Sequence, residues 1–282
     1  MTKPVALTIA GSDSGGGAGI QADLKAMEAN GVFGASALTA ITAQNTEAVT
    51  QSQDLSPELV AAQIDAVAED LDVRVTKTGM LSTSGIIEVV AERVEAHGLQ
   101  PFVVDPVMIS KTGFKLLQDA AIETLVDLLL PLATVVTPNA HEAAHLTDVE
   151  VETVDDLQQA AEALFEKGPD AVLAKGGHLS DSDEAVDVLV DADGARTVTA
   201  PRIDTKHTHG TGCTYASAIA ANLAKGHALD AAVDRAKRYV TGAIRHALPL
   251  GHGRGPTNHF YHLDPESAFA LDAPEGSQNP AS

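Results

Sequence analysis

Short runs of apolar residues alternate with longer stretches in which apolar residues recur at every third or fourth position. The short runs predict buried strands, and the longer stretches predict amphipathic helices. Strands that alternate with helices are typical of a mostly parallel sheet covered on both faces, so the predicted fold class is α/β. The predicted strands are residues 5–10, 37–43, 73–79, 102–107, 134–137 and 171–175. The predicted helices are residues 22–30, 57–71, 85–97, 118–129, 141–146, 154–167, 211–225 and 229–246.

A hairpin and a single domain complete the predicted organisation. Residues 185–189 and 196–200 flank Asp193-Gly194, a dipeptide that favours a tight hairpin turn because both positions tolerate positive φ. The pattern contains neither an internal repeat nor a linker, so we expect one domain over residues 1–264. Residues 265–282 are polar and contain proline and glycine, and we expect a flexible tail there.

Composition limits the possible partners and the cellular location. The 282-residue chain carries 39 Asp and Glu against 18 Lys and Arg, a formal net charge of −21, which argues against a nucleic acid or an anionic membrane as partner. No apolar run is long enough for a membrane span, and the N-terminus lacks the layout of a signal peptide. The single cysteine, Cys213, cannot form an internal disulfide, which predicts a cytoplasmic location. An excess of acid also suits a high-salt cytoplasm, so a halophile-type surface is a further hypothesis.

The acidic residues are unevenly distributed along the chain. None occurs between Asp204 and Asp230 or between Asp234 and Asp264, yet these two stretches retain seven cationic side chains. A partly buried helix would lack acids anyway, but it would not need so many bases. The pattern therefore favours a local site for a small polyanion. The seven cations are Lys206, Lys225, Arg235, Lys237, Arg238, Arg245 and Arg254.

Two glycine-rich segments precede predicted helices. The first, residues 11–19 (GSDSGGGAG), satisfies neither the GxGxxG pattern nor the P-loop pattern, so by itself it favours a strand-to-helix turn over a ligand site. The second, residues 209–214 (HGTGCT), opens the helix predicted at 211–225. Gly210 and Gly212 leave N–H groups unobstructed at the positive end of that helix, which suits an oxyanion or a transferring phosphoryl group. Cys213 lies in the first turn, where the helix dipole is expected to lower the thiol pKa; the alternative is a small buried thiol in an ordinary helix cap.

Polar side chains stand at the ends of three predicted strands. Asp105 precedes Pro106, Asn139 follows the strand at 134–137, and Lys175 ends the strand at 171–175. The carboxyl ends of parallel strands form the usual ligand crevice. Asp105 and Glu142 are candidate Mg²⁺ ligands acting through water, and Lys175 is a candidate to balance phosphate charge. For each of these residues taken alone, a cap or turn position is the simpler interpretation, but together at equivalent strand ends they indicate a site.

A flat pocket is a weaker hypothesis near the N-terminus. Asp23 offers an acceptor for an amino group, Gln44 both donates and accepts, and Met80 offers a polarizable face. For each residue taken alone, a helix, turn or core position is the simpler interpretation.

Seven motifs occur in an order that resembles the hydroxymethylpyrimidine/phosphomethylpyrimidine kinases of thiamine biosynthesis, in the ribokinase-like superfamily. The resemblance covers nearly the whole chain, from Ala6 to about Phe260. Cysteine at position 213, where the superfamily often has an aspartate, is similar to the pyrimidine-kinase branch. The motifs are residues 15–25, 42–46, 77–81, 104–108, 137–144, 175–178 and 208–214.

The resemblance implies a ribokinase-like three-layer α/β/α sandwich and an activity. The implied reaction is MgATP-dependent phosphorylation of 4-amino-5-hydroxymethyl-2-methylpyrimidine and then of its monophosphate, and a homodimer is expected because relatives often form one. Cys213 is implied to act on the attacking hydroxyl as a base or an orienting group, and the amides of Gly210–Cys213 are implied to stabilise the transferring phosphoryl group. The residues implied to bind the pyrimidine are Gln44, Asp23, Met80, Gly11 and Val107. Those implied to bind ATP or phosphate are Asn139, Lys175, Thr208, Thr211 and Lys237, and those implied to bind the metal are Asp105 and Glu142.

Two alternatives remain at this point. Pyridoxal kinases phosphorylate the hydroxymethyl group of a similar flat heterocycle, and Gln44 and Met80 favour the pyrimidine without excluding dual use. A non-catalytic pyrimidine or nucleotide sensor on the same fold is the other alternative. The retention of Asp105, Glu142, Lys175 and Cys213 argues against it, because a sensor has no need of a transfer site.

Overall fold

A single sheet forms the centre of the computed structural model, which describes residues 3–110, 113–177, 179 and 184–263. The expected tail, residues 265–282, lies outside this part of the chain. Within it the strands are β1 (Val5–Asp13), β2 (Phe33–Gln44), β3 (Val49–Asp54), β4 (Val73–Thr78), β5 (Phe102–Val104), β6 (Val135–Val136), β7 (Ala171–Lys175), β8 (Glu184–Asp191) and β9 (Gly194–Pro201). The α-helices are α1 (Gly19–Ala29), α2 (Pro57–Asp70), α3 (Ser84–His97), α4 (Ala120–Leu128), α5 (Ala140–Thr147), α6 (Val154–Phe165), α7 (Thr211–Ala224) and α8 (Leu229–Arg245), with short 3₁₀ turns at Leu130–Leu132 and Tyr261–Leu263.

The strands lie in the order β3-β2-β1-β4-β5-β6-β7-β8-β9. The six central strands, β2, β1, β4, β5, β6 and β7, are parallel to one another. Strand β3 pairs antiparallel at one edge, and β8 and β9 pair antiparallel at the other. The mostly parallel sheet and the hairpin at Asp193-Gly194 are thus confirmed. Strand β3 was not predicted from the sequence, because its mainly polar segment VTQSQD lies largely exposed at the sheet edge and has no apolar run.

Helices cover both faces of the sheet, as the alternation of strands and helices predicts. Successive residues of a strand point to opposite faces: Phe102 and Val104 pack in the core beneath α2–α6, whereas Val103 packs in the core beneath α1, α7 and α8. Both cores consist mainly of Ala, Val, Leu and Ile side chains. Among the helices in the described residues, none has the length and hydrophobicity needed to cross a membrane.

The parallel strands end at the same edge of the sheet and bring distant loops together. The backbone N–H of Asp105 donates to the carbonyl of Thr78, and the N–H of Lys175 donates to the carbonyl of Pro138 (3.0 and 2.8 Å). Strand β5 ends at Val104, earlier than predicted, and Asp105 and Pro106 lead the chain out of the sheet. This edge is where the candidate site residues gather.

Candidate active site

Asp105 and Lys175 form a nearly buried ion pair at the ends of β5 and β7. The Lys175 Nζ lies 2.8 Å from Oδ1 of Asp105, and the hydroxyl of Thr137 donates to the same oxygen at 3.0 Å. Burial by itself would raise the pKa of Asp105, but the ammonium groups of Lys175 and Lys77 outweigh burial and lower the pKa. Burial likewise acts to lower the pKa of Lys175, and Asp105 and Glu142 reverse this and raise it. The pair therefore stays charged.

Asn139 and Glu142 form a capping box at the start of α5. The Asn139 side chain accepts the N–H of Glu142 (3.0 Å), and the Glu142 carboxylate accepts the N–H of Asn139 (2.8 Å). Burial, strengthened by the nearby charge of Asp105, raises the pKa of Glu142 to about 7, although Lys175 opposes the rise. Two buried carboxylates beside one lysine could hold a hard cation that keeps part of its water shell, such as Mg²⁺. Among the described residues there is no group of three or more His, Cys, Asp or Glu side chains placed to hold a metal ion.

The N-terminus of α7 faces this ion pair across a gap that glycine keeps open. A Cβ atom on Gly212 would lie 3.4 Å from Nζ of Lys175 and 3.8 Å from Oδ2 of Asp105. Gly210, the N-cap, has φ +75°, and a Cβ there would overlap the carbonyl oxygen of Gly17. The first N–H groups of a helix have no acceptor within the helix. The N–H of Thr211 donates to the carbonyl of Thr208 outside the helix, and the N–H groups that follow it form, together with Lys175, a small positive site of the kind that binds an oxyanion.

Cys213 lies in the first turn of α7, but its thiol is not activated by its surroundings. Burial of the sulfur, together with the negative charges of Asp23 and Asp105, raises the pKa of Cys213 to about 12, while Lys77 and the N–H of Gly19 act in the opposite direction. The expectation that the helix dipole would lower this pKa is therefore corrected. Desolvation of the sulfur makes the largest contribution, because it penalises the thiolate.

The glycine-rich loop is organised by Asp13, a residue that the sequence analysis did not identify. Its carboxylate accepts the N–H groups of Gly15, Gly17 and Ala18 at 2.8, 3.1 and 2.8 Å. Its Oδ2 also lies 2.9 Å from Nε2 of His209, the residue before Gly210. Burial alone would raise the pKa of Asp13, and the hydrogen bonds from His209 and the loop amides lower it. An aspartate followed by glycines is the one sequence signal that could have indicated this loop-ordering role.

Three of the expected pyrimidine residues lie on the β1–β2 side of the same edge. A Cβ on Gly11 would lie 3.0 Å from Sδ of Met80, so these two residues face each other. The Gln44 Nε2 lies 3.4 Å from Nε2 of His209, and its Oε1 accepts the hydroxyl of Thr42 at 3.2 Å. The structure thus brings Gln44 to the loop that leads into the N-terminus of α7.

The remaining predicted residues lie around the crevice. The N–H of Val107 donates to the carbonyl of Asp105 (2.8 Å), which turns the chain just after β5. The hydroxyl of Thr211 donates to the carbonyl of Thr208 (2.9 Å) at the entry to α7. Lys237 is buried, and its Nζ lies 2.6 Å from Oδ2 of Asp187 on β8. Its charge is therefore paired with the Asp187 carboxylate, and this pairing argues against Lys237 as the phosphate ligand implied by the resemblance.

Asp23 is the clearest departure from the expected site. It is fully buried, and its carboxylate is bonded to Lys77, Thr8 and Ser217 instead of lining the pyrimidine pocket. This corrects the expectation that Asp23 accepts from an amino group of the substrate. Lys77 and Ser217 were not singled out from the sequence, since a lysine within a strand and a serine within a helix carry no distinctive local signal.

The chain is similar to one family model, to named relatives and to solved structures of two kinds of kinase. The model of the family described as phosphomethylpyrimidine kinase matches residues 13–258. The hydroxymethylpyrimidine/phosphomethylpyrimidine kinase of Streptomyces coelicolor is 51% identical over 263 residues, which cover 93% of this chain and 97% of that protein. The crystal structure of the Clostridium difficile phosphomethylpyrimidine kinase is 44% identical with a TM-score of 0.76, over 86% of this chain and 100% of that one. The Staphylococcus aureus pyridoxal kinase in complex with AMP-PCP and pyridoxal is 34% identical with a TM-score of 0.86, over 94% of this chain and 96% of that one.

Proposed function

The chain belongs to the phosphomethylpyrimidine kinase family and has its ribokinase-like fold, and from this premise we propose the reaction that it catalyses. It transfers the γ-phosphoryl group of ATP to the hydroxymethyl group of 4-amino-5-hydroxymethyl-2-methylpyrimidine. It then transfers a second phosphoryl group to the monophosphate, which yields the diphosphate used in thiamine biosynthesis.

One observation carries the proposal: Gly212, at the N-terminus of α7, lies directly beside the Asp105–Lys175 ion pair. Phosphoryl transfer requires alignment of the two oxygens about phosphorus and neutralisation of the equatorial oxygens, with little covalent work for the protein. The amides of residues 210–213 and the ammonium of Lys175 supply positive charge from two sides of one gap. A phosphoryl group in that gap meets dipoles that are already aligned.

The bonds that change are few. The hydroxymethyl oxygen forms a bond to the γ-phosphorus as the bond between that phosphorus and the β–γ bridging oxygen breaks, and ADP leaves. Because the pKa of Cys213 is about 12, the resting side chain is the thiol, and we assign it the orienting role: its sulfur accepts a hydrogen bond from the hydroxyl. The hydroxyl proton is lost to the phosphoryl oxygens or to water as the P–O bond forms.

The remaining assignments follow from position around the gap. Gln44, Met80, Gly11 and Val107 hold the pyrimidine. Asn139, Thr208, Thr211 and Lys175 hold the phosphates of ATP. Asp105 and Glu142 would hold Mg²⁺ through water, and that ion would neutralise phosphate charge when bound. A homodimer located in the cytoplasm completes the proposal.

Pyridoxal phosphorylation is the second candidate activity, because a pyridoxal kinase superposes on this chain with a TM-score of 0.86. Both substrates are flat heterocycles with a hydroxymethyl group. Among solved structures, the identity is 44% to a phosphomethylpyrimidine kinase and 40% and 34% to two pyridoxal kinases. The matching family model is that of the phosphomethylpyrimidine kinases, which favours the pyrimidine as the main substrate.

A coupled assay of ADP release tests the proposal with the pyrimidine alcohol, its monophosphate and pyridoxal as separate substrates. We expect turnover with the alcohol and the monophosphate in the presence of Mg²⁺, and slower turnover with pyridoxal. The matched control is Lys175→Met, which removes the ammonium from the gap. Absence of ADP release with all three substrates would refute the kinase assignment, and faster turnover with pyridoxal would reverse the order of the two candidates.

A further inference from the structure

A fully buried ion pair lies beneath the candidate site and takes no part in the proposed reaction. Lys77 on β4 and Asp23 on α1 are both 0% exposed, and Nζ of Lys77 lies 2.9 Å from each carboxylate oxygen. Removal of two charges from water is unfavourable, and their mutual attraction compensates for it only when the geometry and the remaining hydrogen bonds are good. This cost makes the buried pair a candidate for a functional role.

Hydrogen bonds from two further elements hold the Asp23 carboxylate. The hydroxyl of Thr8 on β1 donates to Oδ2, and the hydroxyl of Ser217 on α7 donates to Oδ1, both at 2.7 Å. Burial acts to lower the pKa of Lys77, but the charge of Asp23 outweighs burial and raises it. Lys77 is thus an ammonium group with a fixed position among four elements of the fold.

The position of that ammonium relates it to the phosphoryl-transfer site. A Cβ on Gly79, just beyond the end of β4, would lie 3.0 Å from Nζ of Lys77, so the lysine reaches along its strand toward the crevice. Ser217 follows Cys213 by four residues on α7, and residues with this spacing lie on one face of a helix. Ser217 therefore places the Asp23–Lys77 pair one turn beneath Cys213.

We propose that Lys77 is a positioning residue of the phosphoryl-transfer site, which fixes a positive charge beneath Gly210–Cys213 and thereby sets the reactivity of the Cys213 sulfur. The inference deepens the proposed function and rests on it for its meaning in catalysis. The ammonium does not touch the substrate. It acts through its charge and through the Asp23–Ser217 contact, which holds the first half of α7 against β4 and α1.

The charges that face Cys213 determine whether each substitution raises or lowers the reactivity of its sulfur. Asp23 from α1 and Asp105 from the end of β5 disfavour the thiolate, Lys77 favours it, and Lys175 from β7 also interacts with the cysteine. Removal of the Lys77 charge should therefore make the sulfur less reactive. Removal of the Asp23 charge from a protein that already lacks the ammonium should restore part of the reactivity, because Asp23 disfavours the thiolate. Asp23→Asn alone would not test this, since the buried Lys77 would lose the carboxylate that keeps it charged. A change that merely loosens the packing would not be reversed by the second substitution.

The test uses the fact that the chain contains one cysteine. The rate of alkylation by iodoacetamide, followed by intact-protein mass spectrometry at one mildly alkaline pH, reports on Cys213 alone and needs no kinase activity. The charge variants are Lys77→Met and the double variant D23N/K77M. The matched control is Thr8→Val, which removes a hydrogen bond from the same carboxylate without a change of charge.

We expect Lys77→Met to slow alkylation about tenfold, the change in thiolate fraction that corresponds to a pKa shift of about one unit. The double variant D23N/K77M should be alkylated faster than Lys77→Met, and Thr8→Val should leave the rate within about twofold of the parent rate, since no charge facing the sulfur changes. Equal rates for Lys77→Met and the parent protein, or a double variant that is no faster than Lys77→Met, would overturn the proposal. If Lys77→Met does not fold, the double variant D23N/K77M decides: alkylation slower than that of the parent supports the proposal, because Lys77 acts on Cys213 more strongly than Asp23 does, and an equal rate overturns it.

Kinase measurements on the same proteins separate this inference from the proposed function. Lys77→Met should lower kcat and leave the KM for the pyrimidine nearly unchanged, because the lysine is buried away from the substrate. If the parent protein shows no turnover but the alkylation pattern holds, the proposed function fails and the electrostatic link remains. If turnover is normal and the alkylation pattern is absent, only the inference about Lys77 fails.

Discussion

The Asp13 carboxylate oxygen Oδ2 lies 2.9 Å from Nε2 of His209, a contact between residues 196 positions apart in the sequence. It joins the glycine-rich loop to the turn that opens α7. The two segments approach so closely that a Cβ on Gly17 would overlap the His209 ring. One buried carboxylate therefore fixes the proposed pyrimidine side of the crevice relative to its proposed phosphoryl side.

Asp13→Asn should destabilise the protein and impair catalysis. An amide cannot accept the three loop N–H groups and face His209 as a carboxylate does, and the loss of charge-assisted hydrogen bonds corresponds to about 1–3 kcal/mol. The folded-state pKa of Asp13 is lowered from 3.8, so its stabilising contribution is present above that value and disappears as the pH falls through the lowered pKa. Thermal unfolding of the parent and the variant should differ at neutral pH and converge at strongly acidic pH. A constant difference between their Tm values across the pH range would contradict this account.

Gly212→Ala and Gly210→Ala should separate activity from folding. The new methyl group at 212 meets Lys175 and Asp105 at ordinary contact distances, and alanine suits a helix better than glycine by about 1 kcal/mol. This variant should fold with unchanged or slightly higher stability and lose kcat by at least about tenfold, because the methyl group fills the space for the phosphoryl group. Gly210→Ala should fold poorly, since its φ is +75° and its Cβ would overlap Gly17. Urea denaturation measures the stability of both variants, and steady-state kinetics measure their activity. Full activity of Gly212→Ala would show that the phosphoryl group does not occupy this gap.

Lys175→Met should reduce kcat by about 10²–10³, the range found when one donor to a developing charge is lost. The same change leaves Asp105 without its 2.8 Å cationic partner, so the free energy of unfolding should fall as well. Steady-state kinetics give the first effect, and denaturant unfolding gives the second. Lys167→Met, a change at an exposed lysine beyond the end of α6, is the control for loss of a lysine and should leave kcat unchanged. Comparable kcat for Lys175→Met and the parent would exclude the lysine from the transfer step.

Cys213→Ser should lower kcat while pyrimidine binding stays largely intact. The hydroxyl retains a hydrogen-bond acceptor of smaller size, so the attacking oxygen is held less well in line, and misalignment by a fraction of an ångström reduces rate more than affinity. Isothermal titration with the pyrimidine and steady-state kinetics measure the two effects. Undiminished turnover of the variant would show that Cys213 neither orients nor deprotonates the hydroxyl.

Much of the fold could be predicted because its signals are local. The apolar runs of β1, β4 and β7 and the Asp193-Gly194 turn are encoded within a few neighbouring residues. Strand β3 could not be predicted, because it has no apolar run and is held in the sheet by its backbone pairing with β2. Local signals also identified Asp105 and Lys175 at strand ends and the glycines at the start of α7. Asp105 and Lys175 lie together because parallel strands end at one edge of the sheet.

The sequence by itself determined the alternation of strands and helices, the family and the residue types available for phosphoryl transfer. Only the tertiary structure decided how those residues are charged and which of them face the crevice. Asp23 has its carboxylate bound to Lys77, 54 positions away in the sequence, and so belongs to the interior. Cys213 lies at a helix N-terminus, yet burial raises its pKa to about 12. The burial of Asp23 and the pKa of Cys213 depend on solvation and on partners from distant segments, and neighbouring residues in the chain do not determine either of these.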